Sequence, residues 1–217
     1  MKATYGCLTV AGDLSEAGRC KQVVDEAAKL LGGLTTVVNC AGVLKGGAFG
    51  SEACTVDNLM FNFNNNTKST FEVMQHAVPH MKAAGKDCGP SIVNVSSVNG
   101  LVSFGGVASY CASKAAVDML TKCAAVDLAP FGIRVNCVNP GVVVTELQKR
   151  GGLSEDAYAS FLERSISTTH PLAAALGRVA QPEEVANLIA YLASDKASFI
   201  TGDSIKIDGG RGCVGAR

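Results

Sequence analysis

Ser97, Tyr110 and Lys114 are the residue types that together can move a proton to or from a reacting oxygen. Tyr110 and Lys114 are four apart in Tyr-Cys-Ala-Ser-Lys, and on a helix that spacing puts both on one face. An ammonium near a phenol favours the phenolate, so the spacing predicts that the Tyr110 pKa falls from about 10 toward working pH. A general acid with a pKa near operating pH is what carbonyl reduction and alcohol oxidation need. Ser97 stands thirteen residues before Tyr110, and its hydroxyl could hold the reacting oxygen. Taken alone, Tyr-x-x-x-Lys on a helix is more often surface packing than an active site, so the surrounding elements must decide.

Those elements alternate between short β-branched runs and longer amphipathic ones. Cys7 to Ala11, Leu34 to Val38, Ser91 to Val95, Ile133 to Val138 and Ser204 to Ile207 read as strands. Between them, Ser15 is the expected N-cap of a helix whose apolar stripe runs through Val23, Val24, Ala27, Ala28, Leu30 and Leu31 and stops at Gly32-Gly33. A long helix is predicted from Val56 to about Ala84, kinked near Pro79. A second runs from Ala108 to about Ala129, expected to be buried on most sides and closed by Pro130 and Gly132. A helical segment lies around Ser154 to Ile166, and Pro182-Glu183-Glu184 starts a helix reaching about Ala193. Strands that are apolar throughout and alternate with helices imply a doubly wound parallel sheet, a three-layer α/β/α domain. In such sheets ligands bind past the carboxyl ends of strands. Asp13, Asn39, Ser97 and Asn139-Pro140-Gly141 all fall there, although packing alone needs no polar residue at those places.

Composition narrows the functional classes. The 217 residues suit one domain, and 47% hydrophobic residues are enough for a sizeable core. Nineteen basic and nineteen acidic residues balance, with no basic block, which argues against nucleic acid or an anionic membrane as partner. No apolar run is long enough to span a bilayer, and Met1 to Tyr5 does not read as a signal peptide. The nine cysteines form no C-x-x-C and no metal-ligand spacing. They read as reduced, mostly buried thiols of a cytoplasmic protein. No metal is expected, and His76, His80 and His170 read as structural.

In this order the motifs resemble the short-chain dehydrogenase/reductase family over essentially the whole chain. Asn39-Cys40-Ala41-Gly42 looks like the family's N-N-A-G turn, with Cys40 replacing the second asparagine. Asn66 matches the asparagine of the long helix, and Ser97, Tyr110 and Lys114 match the remaining catalytic positions. Pro140-Gly141-x-x-x-Thr145 matches the turn cradling the nicotinamide, and Thr201-Gly202 through Asp208-Gly209-Gly210 matches the C-terminal signature. The resemblance implies an NAD- or NADP-dependent oxidoreductase interconverting a carbonyl and a secondary alcohol by hydride transfer. Tyr110 is then the general acid/base. Lys114 lowers its pKa and bonds the nicotinamide ribose. Ser97 orients the carbonyl, and Asn66 holds a relay water. Asp13 and Leu14 are implied to contact the adenine, and Asn39, Ala41 and Gly42 the adenosine ribose. Pro140, Gly141, Val143 and Thr145 would hold the nicotinamide side. The segment from about 145 to 180 is the implied substrate lid, and a homo-oligomer, tetramer or dimer, is implied as well.

The resemblance departs at the N-terminus. The family opens with a strand, a glycine-rich loop that holds the pyrophosphate, a helix and a second strand. No such loop precedes Asp13. The expected fold is therefore the family's sheet missing the first βαβ portion, with the segment before Asp13 either displaced into a vacated strand slot beside Leu34 to Val38 or lying on the surface. Weak or absent cofactor binding is the alternative functional expectation: a catalytically impaired member. Gly210-Arg211-Gly212-Cys213-Val214-Gly215 fits G-x-G-x-x-G, but too little chain follows for the helix that motif needs, so it reads as a glycine-rich tail.

Overall fold

The computed structural model describes residues 6–214 and contains one parallel sheet with helices on both faces. Its strands are β1 (Thr36–Asn39), β2 (Ser91–Val95), β3 (Arg134–Pro140) and β4 (Ser204–Ile207), in that spatial order. Each is parallel to its neighbour; Ile92 pairs with Val135, and Cys137 with Ser204. β2 and β3 are the central strands and almost wholly buried, which is why they read as continuous apolar runs. The doubly wound parallel sheet expected from the sequence is present.

Three helices cover the face that carries Ile92 and Val135. They are α1 (Arg19–Leu31), the long helix, and α4 (Ala108–Leu128). The long helix comprises α2 (Val56–Asn62), a wide π turn (Phe63–Lys68) and α3 (Ser69–Ala84). Val24, Ala28, Met74, Met81, Ala125 and Leu128 pack there, in the larger core. Four short helices follow β3: α5 (Leu147–Arg150), α6 (Glu155–Arg164), α7 (Pro171–Leu176) and α8 (Pro182–Ala193). α8 covers the other face, where Val185 and Leu192 meet Val93 and Val138. Pro at its first position and a capping box between Gln181 and Glu184 start α8.

Several expectations are corrected. Cys7 to Ala11 forms no strand; it is irregular, mostly exposed chain, so β1 is the sheet edge among the described residues. Ser15 does not cap α1. Asp13 holds the Ser15 backbone N–H (2.9 Å) and hydroxyl (2.7 Å) in a turn, and Gly18, with φ 75°, leads into the helix. Leu30 and Leu31 lie off the buried stripe and are exposed, because the stripe ends at Ala28. The long helix passes through Pro79 without a break, and its irregular turn lies around Asn66 instead. α4 buries one face only; Met119 and Val126 point outward. All nine cysteines are free, yet only Cys20 and Cys137 are buried, since most others sit in loops or on outer helix faces. Residues 1–5 and Gly215 lie outside the described residues; the part of the tail that is described makes one tight turn, Arg211–Cys213.

Candidate active site

β2 ends at Val95, and Ser96 and Ser97 follow directly. α4 runs across this strand end, and its buried stripe is Tyr110, Ser113, Lys114, Val117, Asp118 and Thr121. Helical spacing thus stacks Tyr110, Lys114 and Asp118 along one line facing the sheet's carboxyl edge. Tyr110 is 4% exposed and Lys114 5%. The Lys114 ammonium donates to the Val95 carbonyl at 2.9 Å and lies 5.9 Å from the Tyr110 ring centroid.

Two cavities meet at this point. One, of about 340 Å³, is bounded by the lid and the loop after β2; the other, of about 550 Å³, is an open cleft along the strand ends. Ser97, Tyr110 and Gly141 line both. Lys114, Gly42, Pro140, Val143 and Thr145 line only the cleft. Of the predicted residues, the structure therefore gathers Ser97, Tyr110, Lys114, Gly42, Pro140, Gly141, Val143 and Thr145. It does not bring Asp13, Leu14, Asn39 or Ala41 to the cleft. Asp13 is an exposed turn residue. Asn39 bonds Asn94 at 2.8 Å, and Asn94 in turn bonds Thr121 of α4 at 2.9 Å, so that chain ties sheet to helix. Ala41 is exposed and lies beside the cleft lining, not in it.

Asn66 sits in the π turn, 1% exposed, and both ends of its side chain are taken by protein. Its oxygen accepts the Val43 N–H at 2.8 Å, and its nitrogen donates to the Val43 carbonyl at 3.0 Å and to Ser113 Oγ at 3.0 Å. The side chain thus clamps the turn after β1 against α4. A Cβ on Gly42 would come within 3.2 Å of the Lys114 nitrogen and 3.3 Å of Asn66 Oδ1, so that turn approaches Lys114 as closely as glycine permits.

Electrostatics correct one expectation. Burial pushes the Tyr110 phenol up to about 12, and the facing Ser97 hydroxyl opposes this only in part. The fall toward working pH is absent, because desolvation of the anion outweighs an ammonium held against Val95. Burial likewise pushes Lys114 down to about 8.

Asp118 was not singled out in the sequence, although an acid on an otherwise apolar helix face was the available signal. It is 4% exposed and accepts from Asn139 (2.9 Å) and Ser204 (2.8 Å), and Ser96 Oγ lies 2.8 Å from its other oxygen. Asn139 also donates to the Ser97 carbonyl at 2.9 Å, so Asp118 braces both serines behind the site. His170, expected to be structural, accepts the Val142 N–H at 3.1 Å and lines the smaller cavity. Among the described residues no cluster of His, Cys, Asp or Glu could hold a metal ion.

The residues present fit the nicotinamide end of a dinucleotide. Lys114 uses one of three donors, and Gly42, Pro140, Gly141, Val143 and Thr145 line the cleft beside it. The sequence profile described as enoyl-(acyl carrier protein) reductase matches residues 1–211. The chain is a short-chain dehydrogenase/reductase. It is 36% identical over 198 residues to the 3-alpha-(or 20-beta)-hydroxysteroid dehydrogenase of Mycobacterium tuberculosis, covering 91% of this chain and 68% of that one. It is 36% identical over 189 residues to the cyclohexanol dehydrogenase of an Acinetobacter species, covering 87% of this chain and 68% of that one. A Caenorhabditis elegans short-chain dehydrogenase/reductase, solved with cofactor, superposes with a TM-score of 0.84 at 32% identity, covering 95% of this chain and 76% of that one. Membership makes the protein an NAD(P)-dependent oxidoreductase.

Proposed function

We propose that this short-chain dehydrogenase/reductase interconverts a secondary alcohol and a ketone, with Ser97, Tyr110 and Lys114 as its working residues. The junction of the two cavities at Ser97 and Tyr110 carries this reading. It lets a substrate oxygen in the smaller cavity reach both hydroxyls while the cleft takes the nicotinamide of NAD or NADP. The bound nicotinamide supplies or accepts the hydride. Ser97 donates a hydrogen bond that orients the carbonyl oxygen. Tyr110 gives that oxygen its proton in reduction and takes it back in oxidation. A ligand that carries polar groups into the cleft adds partners that favour the phenolate, which offsets part of the burial that holds the free phenol near 12. Lys114 favours the phenolate by its charge and offers its two remaining donors to the ribose of the cofactor. Asn66 acts as a positioning residue through the Val43 turn.

The named relatives act on ring alcohols, a hydroxysteroid and cyclohexanol, and an alicyclic alcohol or ketone is the first class to try. The outward apolar residues Met119 and Val126 on α4 support a homo-oligomer. Among the described residues no helix is long and apolar enough to cross a membrane. The test is the change in nicotinamide absorbance with NADH or NADPH and a panel of cyclic ketones. Turnover that disappears in Tyr110→Phe is expected. Turnover that survives in Tyr110→Phe refutes the assignment.

A further inference from the structure

The smaller cavity holds charges that the proton-transfer machinery does not use. Arg211, in the tight turn after β4, lines it and is only 8% exposed. Arg164, at the end of α6, lines it from the more exposed side. No Asp or Glu is in the lining. A guanidinium carries five N–H donors in a rigid fork. Among the described residues the Arg211 guanidinium has no hydrogen-bond or ion-pair partner. The acid nearest in sequence, Asp208, accepts the N–H groups of Gly210 (3.0 Å) and Gly212 (2.6 Å) and so shapes the turn. His170, on the same wall, accepts the Val142 N–H, and Thr169 Oγ1 lies 2.7 Å from its other ring nitrogen, so it offers no charge of its own. The Phe104 ring centroid lies 5.7 Å from the guanidinium carbon, within reach of a cation–π contact that leaves the N–H donors unused. The buried Gln148 Oε1, also in this lining, has no partner either.

We infer that Arg211, aided by Arg164, binds a carboxylate on the substrate, so that the enzyme acts on small keto acids and the corresponding hydroxy acids. This rests on reading the smaller cavity as the substrate cavity. A planar fork matches a carboxylate bidentately. A volume of about 340 Å³ suits a small skeleton with the carbonyl at the Tyr110 end and the carboxylate at the Arg211 end. The turn that presents Arg211 is made by a glycine-rich tail whose sequence resembles a nucleotide loop. Its use here is to bring one cation into the site.

Two measurements test this. In the first, binding of cyclohexanecarboxylate and of cyclohexanecarboxamide to the wild-type protein is measured by ligand-observed NMR. The acid is expected to bind at least about tenfold more tightly. Arg211→Met, which keeps the stem over Phe104, should abolish the difference; Arg211→Lys should keep part of it. Equal binding, or a preference that Arg211→Met leaves intact, overturns the inference. In the second, kcat/KM is compared for 4-oxocyclohexanecarboxylate and its methyl ester. The ratio should favour the acid and fall at least about tenfold in Arg211→Met, mainly through KM. Turnover of both with no preference for the acid overturns the carboxylate inference and leaves the oxidoreductase reading standing. Arg211-dependent binding of the acid with no turnover of either overturns keto acids as the substrate class and leaves the oxidoreductase reading to the ketone panel.

Discussion

Replacing Lys114 by Met is expected to make the fold more stable at neutral pH. Lys114 is 5% exposed, and burial pushes its pKa from 10.5 to about 8. A depression of that size means the charged form costs the folded state about 3 kcal/mol relative to the unfolded chain. Methionine fills a similar volume without that charge, but the 2.9 Å bond to the Val95 carbonyl is lost, which takes back about 1.5 kcal/mol. The net gain is about 1–2 kcal/mol at pH 7, measurable by guanidinium unfolding. Its pH dependence carries the reasoning. Below pH 8 the folded protein must hold the buried charge. Between pH 8 and 10.5 the unfolded state binds the extra proton, so the Lys114 contribution improves as pH rises and is fully recovered only above 10.5. The advantage of Lys114→Met over wild type should therefore shrink by about 1 kcal/mol between pH 8 and 9. Taking the difference cancels groups that do not touch Lys114, such as Cys20, whose pKa burial raises to about 11 in the folded state. A variant less stable than wild type at every pH, or an advantage constant from pH 7 to 9, refutes the argument.

Other substitutions probe the frame around Lys114. Asp118→Ala removes the acceptor of bonds from Asn139 and Ser204 and the partner of Ser96, and should cost about 3–5 kcal/mol in chemical denaturation; a loss below about 1 kcal/mol refutes a bracing role. Gly42→Ala puts a methyl 3.2 Å from the Lys114 nitrogen and should lower kcat while leaving thermal stability nearly unchanged; unaltered kcat refutes close approach of that turn. With the cleft as the proposed nicotinamide site and Asp13 away from it, nicotinamide mononucleotide and the full dinucleotide should bind within about tenfold of each other by calorimetry. A preference for the dinucleotide beyond about a hundredfold refutes that reading.

The elements that position the site were legible because their patterns are local. β2, β4 and α8 lie where the apolar runs and the Pro-Glu-Glu start predicted. Tyr110 and Lys114 share a face because helical spacing alone requires it. The errors have tertiary causes. Cys7 to Ala11 has a strand's composition, but a strand exists only where a neighbour accepts its hydrogen bonds. Ser15 has a cap's chemistry, but Asp13 reached it first. Helical spacing reports the charge of Lys114 beside Tyr110 but not the burial that raises the phenol's pKa. Asp118 and Arg211 were missed for the same reason: a charged residue in a sequence looks solvated until the fold removes its water.

The two buried charges of α4 differ in a way that separates structure from function. Asp118 and Lys114 are one helical turn apart, 4% and 5% exposed. Asp118 has partners on both oxygens, from β3, β4 and the Ser96 turn, so its charge is satisfied and immobile. Lys114 has one partner for three donors, and the remainder face an open cleft. A fold selected for stability alone would saturate both or bury neither. Arg211 repeats the unsaturated pattern on the other side of Tyr110, with no described partner and a cavity in front of it. The site is thus bounded by two cations with unused donors, Lys114 toward the strand-end cleft and Arg211 toward the smaller cavity, with Tyr110 and Ser97 where the two spaces join.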